Sequence, residues 1–401
     1  MPHKYSSLNE LDLVILAGGK GSRVKKLLGK YPKPMLKFNE KHFIQYILNN
    51  YSKYNFKRII ILCGFRGKVL FKKLHKKKIN LTEVYCLQEK QLLGTGGALS
   101  SLRKLNVKNF VLTNGDTIFD IDINLLISSL KYKNIATVAL TQNKKQNSKK
   151  LNNLSLHNNL VSIKKNSNLM NGGTYFFKEG IFKYIKNKNF SLENDLLPKL
   201  ISLKKINGKI FNNFFIDIGS YHYLKIAKDK LKKQYKKPAI FLDRDGVINY
   251  NYGYVHKIQN FKFRPGVLKG LKYLTKKNYY IFIVTNQAGI GKKIFTEKQF
   301  IQLHKNINKK LIKNNIFFND IQYSPFHPKA KIKKYKKNSS LRKPGNKMLE
   351  NIKLNWDIDM KKSFMIGDKV SDKLAAKKST IKFYYATQNF YAQIKSIINN
   401  Y

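Results

Sequence analysis

Leu13-Val14-Ile15-Leu16-Ala17-Gly18-Gly19-Lys20-Gly21-Ser22-Arg23 is an apolar run of strand length that breaks directly into a glycine-rich turn. Leu13–Leu16 reads as a short buried strand. The glycines behind it let the backbone pass close to a ligand and present N–H groups to phosphate. The turn is not a dinucleotide fingerprint, because Val24 occupies the third glycine position, and it is not a Walker A loop. A second junction of this kind stands at Ile240-Phe241-Leu242-Asp243-Arg244-Asp245-Gly246-Val247, where a hydrophobic strand runs into two aspartates.

Around the first junction, strand-like runs at Arg58–Cys63 and Phe110–Thr113 alternate with helical stretches such as Phe43–Tyr51. Around the second, Ala239–Leu242, Tyr280–Val284, Ile321–Tyr323 and Phe364–Ile366 do the same. Such alternation predicts α/β architecture with mostly parallel sheets, here as two Rossmann-like three-layer domains. The 401 residues are enough for two cores. The charged stretch ending at Pro238 marks the boundary. The expected division is 1–232, a linker 233–238, and 239–401. No internal repeat is present, so the halves are a fusion and not a duplication.

The formal charge of +57 invites a nucleic-acid reading, yet only seven of the 79 basic residues are Arg. Lys is spread along the whole chain with Asn and Ile, which fits a compositional bias better than a footprint for polyanions. The expectation is small anionic substrates and no specific nucleic acid. No apolar run reaches the roughly 18–20 residues of a membrane helix, and Met1–Glu10 lacks the features of a signal peptide. Cys63 and Cys86 match no metal spacing and read as reduced core residues, which points to the cytoplasm. Against only 22 acids, tight acidic clusters carry information.

Tyr31-Pro32-Lys33-Pro34-Met35 sets one Lys on a proline-flanked loop, a placement suited to charge developing on a transferring phosphoryl group. Leu93-Gly94-Thr95-Gly96-Gly97-Ala98 is a second glycine-rich turn, and Asp116 ends a buried strand, where ligand sites of open α/β sheets lie. Asp217 is a further acid in a strand-like setting. The ordered set GGKGSR, YPKPM, LGTGGA, NGDT, NGGTY, SLEND and FIDIG resembles the sugar-1-phosphate nucleotidyltransferases over residues 11–230. The likeness is greatest to the branch that makes GDP-heptose from heptose 1-phosphate. It implies that Leu16, Ala17, Gly18, Gly19, Gly21, Gly94 and Gly96 line the nucleotide, with Arg23 and Lys33 on its phosphates. It also implies Mg²⁺ on Asp116 and Asp217, and a sugar facing Asn171, Gly172 and Glu193. Gln88 and Glu89 are candidates to read the base.

In the second half, Asp243 and Asp245 alternate on extended backbone and are expected on one face, as nucleophile and proton-transfer partner. A calcium loop would need further Asp or Asn and a late Glu, which are missing. Thr285-Asn286, Arg342-Lys343-Pro344 and Gly367-Asp368-Lys369-Val370-Ser371-Asp372 complete an order that resembles the four motifs of the haloacid dehalogenase superfamily over residues 238–390. Within it, the heptose 1,7-bisphosphate phosphatases and histidinol-phosphatases are most similar, with a minimal cap. The resemblance implies an aspartyl-phosphate on Asp243 and proton transfer by Asp245. Mg²⁺ would sit on Asp243, the Asp245 carbonyl and Asp368, with Asp372 orienting this set. Phosphate would meet Thr285, Asn286 and Lys343, and substrate would meet Gln287 and Arg342. That family usually carries a structural Zn²⁺ on Cys-x-His and Cys-x-Cys. Here those positions are Ser324, Phe326, Ser339 and Leu341, so no zinc is expected. Other readings stay open: the same folds acting on mannose 1-phosphate and a histidinol-phosphate-like ester, or a basic nucleic-acid-binding protein on degenerate folds.

Overall fold

Strand Asp12–Leu16 lies inside the first sheet, paired in parallel with Arg58–Cys63 on one side and Phe110–Asn114 on the other. The computed structural model describes residues 8–400 apart from 20, 22, 23, 132, 143–153, 166 and 220. It divides into two compact units, Met1–Lys230 and Leu231–Tyr401. No helix among the described residues is long and apolar enough to cross a membrane.

The first sheet continues from Arg58–Cys63 to Thr82–Gln88 in parallel. Beyond Phe110–Asn114 it changes character. Leu169–Phe177 pairs antiparallel with both Phe110–Asn114 and Ala136–Gln142, and the hairpin Leu154–His157 with Leu160–Ile163 lies further out. The expectation of a mostly parallel sheet therefore holds only for the half around the glycine turn. Ile206–Ile210 pairs in parallel with Ala136–Gln142 and antiparallel with Leu160–Ile163, so this outer half is mixed. Strand Phe215–Asp217 leaves this sheet and pairs with Thr117–Phe119 in a two-stranded ribbon. Val14, Ile60, Leu62, Leu112, Tyr175 and Phe177 are buried in the core beneath.

The second unit carries a five-stranded parallel sheet in the order Asp320–Ser324, Tyr280–Asn286, Ala239–Leu242, Phe364–Gly367, Lys382–Tyr385. All five strands run the same way, so the loops after Leu242, Asn286 and Gly367 meet at one sheet edge. Helix Glu297–Ile312 starts with a capping box. Thr296 Oγ1 accepts from Gln299 N at 3.1 Å, and Gln299 Oε1 accepts from Thr296 N at 2.7 Å. Its inner face buries Phe300, Leu303, His304, Ile307 and Leu311. The stretch 233–238, expected as a linker, is helical as far as Tyr235, because helix Tyr221–Tyr235 buries Ala227, Leu231 and Tyr235 on one face.

Trp356, the single tryptophan, lies 5.3 Å from the Phe282 ring and 4.8 Å from Tyr280, centroid to centroid. Its fluorescence therefore reports on the core of the second unit. Phe282→Ala is expected to destabilise that unit by about 3–5 kcal/mol, measured as a lower denaturant midpoint for Trp356 emission.

Candidate active sites

In the first unit the glycine turn is pinned to its neighbours. Ala17 N donates to Leu62 O, Phe65 N to Gly18 O, and Gly115 N to Leu16 O. A Cβ at Gly18 would lie 2.9 Å from Glu89 Oε2 and 3.1 Å from Gly64 N, whereas one at Gly19 would meet nothing within 4 Å. Gly18 is thus needed by packing, and Gly19 leaves space above the turn. Gly21 adopts φ +62°, in the region that favours glycine. Arg23 lies outside the described residues.

Lys33 opens a short turn behind Pro32 and places Nζ 2.7 Å from Asp116 Oδ2, both side chains half-buried. Asp116 stands at the turn between Phe110–Asn114 and Thr117–Phe119. Asp217 is registered opposite Thr117, and Ile218 N donates to Asp116 O at 2.9 Å. The ribbon therefore brings the two acids to one place from positions 101 residues apart in sequence. Gly219 N donates to Asp217 Oδ1.

Glu193, at the start of the Leu192–Leu196 turn, accepts from Thr95 Oγ1 at 3.0 Å, and the same hydroxyl accepts from Leu192 N. Asn171 Nδ2 donates to Tyr175 OH, and burial with the Glu193 charge holds that phenol well above its ordinary range. Asn171, Tyr175, Glu193 and Thr95 thus form one polar group, with Gly172 packed on Phe119. Tyr175 and Thr95 were absent from the expected set, although both lie within the quoted motifs. Gly94 and Gly96 differ from expectation in what demands glycine. A Cβ at 94 would be 2.5 Å from Phe190 O, and one at 96 would be 2.6 Å from the Phe190 ring. Their smallness serves chain-to-chain packing.

In the second unit Lys343 is the hub. Its Nζ lies 2.9 Å from Asp243 Oδ1 and 2.6 Å from Asp372 Oδ1, and donates to Val284 O at 2.7 Å. All three side chains are buried. Burial favours the neutral amine, but the two carboxylates outweigh it and raise the ammonium above its ordinary value. For Asp243 burial wins over Lys343, and its carboxyl is pushed up to about 6. Asn286 ties the hub down, accepting from Lys343 N and donating to Lys343 O, each at 3.0 Å. Asp372 Oδ2 accepts from Lys369 N. Arg342 is half-buried and reaches Phe326 O.

Asp243, Asp368 and Asp372 each offer a carboxylate oxygen within 4.8 Å of the others. Gly246, at φ +88°, makes room for this, since a Cβ there would lie 2.3 Å from Asp368 Oδ2. Burial raises the Asp368 carboxyl, and its Oδ1 is buried without a hydrogen-bond partner among the described residues. The Asp245 carboxylate is not in this group, contrary to the expectation that it shares a face with Asp243. It accepts from Arg244 Nε and Nη2, from Asn249 Nδ2 at 2.9 Å and from Gln287 Nε2 at 3.0 Å. Gln287 also donates to Thr285 Oγ1 at 2.9 Å. The chain leaves the strand after Leu242, so alternation no longer dictates direction, and the buried Arg244 captures its neighbour.

Residues 13–234 match the family described as Nucleotidyl transferase. Residues 239–397 match the family described as Polynucleotide kinase 3 phosphatase. The D-glycero-beta-D-manno-heptose-1,7-bisphosphate 7-phosphatase of Photorhabdus laumondii is 45% identical over 139 residues, 35% of this chain and 74% of that protein. The enzyme of the same name from Escherichia coli K12 is 41% identical over 139 residues, 35% of this chain and 73% of its own. The solved structure of HddC from Yersinia pseudotuberculosis is 27% identical, covers 55% of this chain and 100% of its own, with a TM-score of 0.47. A D,D-heptose 1,7-bisphosphate phosphatase from B. bronchiseptica, complexed with magnesium and phosphate, is 20% identical over 41% of this chain and 99% of its own, with a TM-score of 0.37.

Behind the second site, His304 is buried with neither ring nitrogen hydrogen-bonded among the described residues. Burial and the Arg244 charge hold its pKa well below the ordinary value. The unfolded chain takes up a proton near pH 6.5 that the folded chain refuses, so this group contributes nothing above that pH and costs stability as pH falls below it. His304→Leu is therefore expected to lose less stability than the parent between pH 7.5 and 5.5, measured by the Trp356 unfolding midpoint.

Proposed function

This chain belongs to the nucleotidyl transferase family through residues 13–234 and to the heptose bisphosphate phosphatases through its second half, and from that premise we propose a bifunctional enzyme of nucleotide-activated heptose synthesis. The second unit removes the 7-phosphate of D-glycero-D-manno-heptose 1,7-bisphosphate. The first joins the remaining 1-phosphate to a nucleotide, GMP from GTP, and releases pyrophosphate. The observation that carries the phosphatase reading is the buried Asp243–Lys343–Asp372 triad beside Asp368, set at the ends of parallel strands.

In that reading Asp243 attacks phosphorus, Asp245 gives the leaving oxygen its proton, and Asp245 later takes a proton from water as the acyl phosphate is cleaved. Lys343 keeps Asp243 oriented and holds a positive charge beside the phosphoryl group. Gln287 Nε2 links Thr285 to Asp245, donating to Thr285 Oγ1 and to Asp245 Oδ2. A hard divalent cation fits the donor set, because Asp243 and Asp368 offer oxygen ligands and Asp368 Oδ1 is otherwise unpartnered. Bound there, Mg²⁺ would screen carboxylate from phosphate. Asp372, already engaged by Lys343 and Lys369 N, acts on their orientation.

In the first unit Lys33 and the glycine turn receive the triphosphate, Asp116 and Asp217 would hold a second Mg²⁺, and the Asn171–Glu193 group faces the sugar. In-line attack by the sugar-phosphate oxygen on the α-phosphorus needs positioning and charge neutralisation and no protein nucleophile. Neither reaction breaks the C1–O bond of the sugar, so both sites must accept the same anomer. A nucleoside triphosphate substrate and two buried free cysteines suit the cytoplasm.

Zinc has no place in this scheme. The loop that follows Ser324 is held instead by hydrogen bonds from Lys331 N and Ile332 N to Gly291 O, by Arg342 on Phe326 O, and by the Phe326–Tyr335 edge contact at 5.5 Å.

Asp243→Asn is expected to abolish phosphate release, a loss of about 10³-fold or more, and to leave nucleotidyl transfer within about twofold. Asp116→Asn should do the reverse. Phosphate release is read on both anomers of the bisphosphate and on histidinol phosphate, and pyrophosphate release on heptose 1-phosphate with GTP. Faster hydrolysis of histidinol phosphate would falsify the heptose reading. Elemental analysis of purified protein should find less than about 0.1 zinc per chain, against the one ion a closed four-ligand site retains.

A further inference from the structure

Arg244 is the largest of the fully buried side chains in the described structure, with no exposed surface. Taking a guanidinium out of water costs several kcal/mol unless its partners are close and well aimed. Here they are. Nη2 lies 2.8 Å and 2.7 Å from the two Asp245 oxygens, Nε lies 3.1 Å from Oδ1, and Nη2 also donates to Val255 O at 2.7 Å. The guanidinium carbon stands 5.7 Å over the Phe300 ring. Val255 closes the loop 250–255, whose Tyr250, Tyr252 and Tyr254 are exposed. One buried cation thus holds both the loop and the carboxylate assigned to proton transfer. Asn249 repeats the link, since its Nδ2 donates to Asp245 Oδ1 and to Tyr250 O.

We propose that Arg244 is a positioning residue that couples the 250–255 loop to Asp245, so that a substrate seated on the loop finds the carboxylate aimed for proton transfer. The proposal rests on the phosphatase reading above. In the first half-reaction an Asp243 oxygen forms a bond to phosphorus, the phosphorus–leaving-oxygen bond breaks, and the Asp245 proton goes to that oxygen. In the second, a water oxygen attacks phosphorus, its proton goes to Asp245, and the bond from Asp243 to phosphorus breaks. Both proton transfers require Asp245 at the right place, while phosphorus attack by Asp243 does not. Losing Arg244 therefore penalises the steps unequally, which a generally weakened fold would not do.

The experiment compares two esters on the full chain with Mg²⁺. Heptose 1,7-bisphosphate has an alkoxide leaving group that needs a proton; p-nitrophenyl phosphate has an aryl oxide that does not. Arg244→Gln is expected to lower kcat on the heptose ester about 10²-fold, with KM changed less than about threefold. On the aryl ester it should release one equivalent of p-nitrophenol per chain at near the parent rate and then turn over slowly. Arg244→Lys keeps the charge but not the fork, and should recover part of the lost kcat. An unchanged kcat, an equal loss on both esters in the first turnover, or a rise in KM alone overturns the proposal. So does failure of both variants to fold their second unit while nucleotidyl transfer persists, which would make Arg244 purely structural. A parent protein that hydrolyses neither ester sinks the phosphatase reading itself.

Discussion

Lys343 buried between Asp243 and Asp372 is the constraint on which the second unit depends. An isolated ammonium in that interior would give up its proton, and an isolated carboxylate there would take one. With Lys343 Nζ 2.9 Å from Asp243 and 2.6 Å from Asp372, the three groups compensate one another and lock three strand ends together. Asp243 comes from the loop after Ala239–Leu242, and Asp372 from the start of helix Val370–Lys378. Asn286 grips the Lys343 backbone from the end of Tyr280–Asn286. The nucleophile is thus aimed by the same contacts that hold the sheet edge together. Such a pair need not add net stability, so its retention is better explained by the chemistry it positions.

The first unit solves a related problem with fewer charges. Lys33 and Asp116 pair across 83 residues, and the ribbon of Thr117–Phe119 with Phe215–Asp217 carries Asp217 to the same place. Beyond them Glu193 is held by the Thr95 hydroxyl and, among the described residues, by no cation. In a chain with net charge +57, the Glu193 carboxylate is held by the hydroxyls of Thr95 and Ser191.

Much of this was legible in the sequence because several motifs follow directly on a strand. Apolar runs at Leu13–Leu16, Ala239–Leu242 and Phe364–Ile366 mark where the chain leaves the sheet, and the chemistry follows each within a few residues. Three things were not legible. The antiparallel flank of the first sheet depends on Leu169–Phe177 pairing with Phe110–Asn114 and Ala136–Gln142, strands far earlier in the chain. Phe190, nearly a hundred residues on, lies against Gly94 and Gly96 and makes a demand for glycine that the local motif does not show. The direction of the Asp245 carboxylate depends on the burial of Arg244, which no local pattern encodes. The 233–238 stretch failed differently: its lysines suggested a solvated linker, yet lysine is a good helix former, and Ala227, Leu231 and Tyr235 at fourfold spacing were the better signal.

The central claim is that one chain carries out two consecutive steps on one sugar. Purified protein incubated with D-glycero-D-manno-heptose 1,7-bisphosphate, Mg²⁺ and each nucleoside triphosphate, followed by mass spectrometry, tests it most directly. The expected result is GDP-heptose from GTP, with one phosphate and one pyrophosphate released per product. Phosphate release without any nucleotide-linked heptose, or nucleotidyl transfer to a sugar that still carries both phosphates, would contradict it.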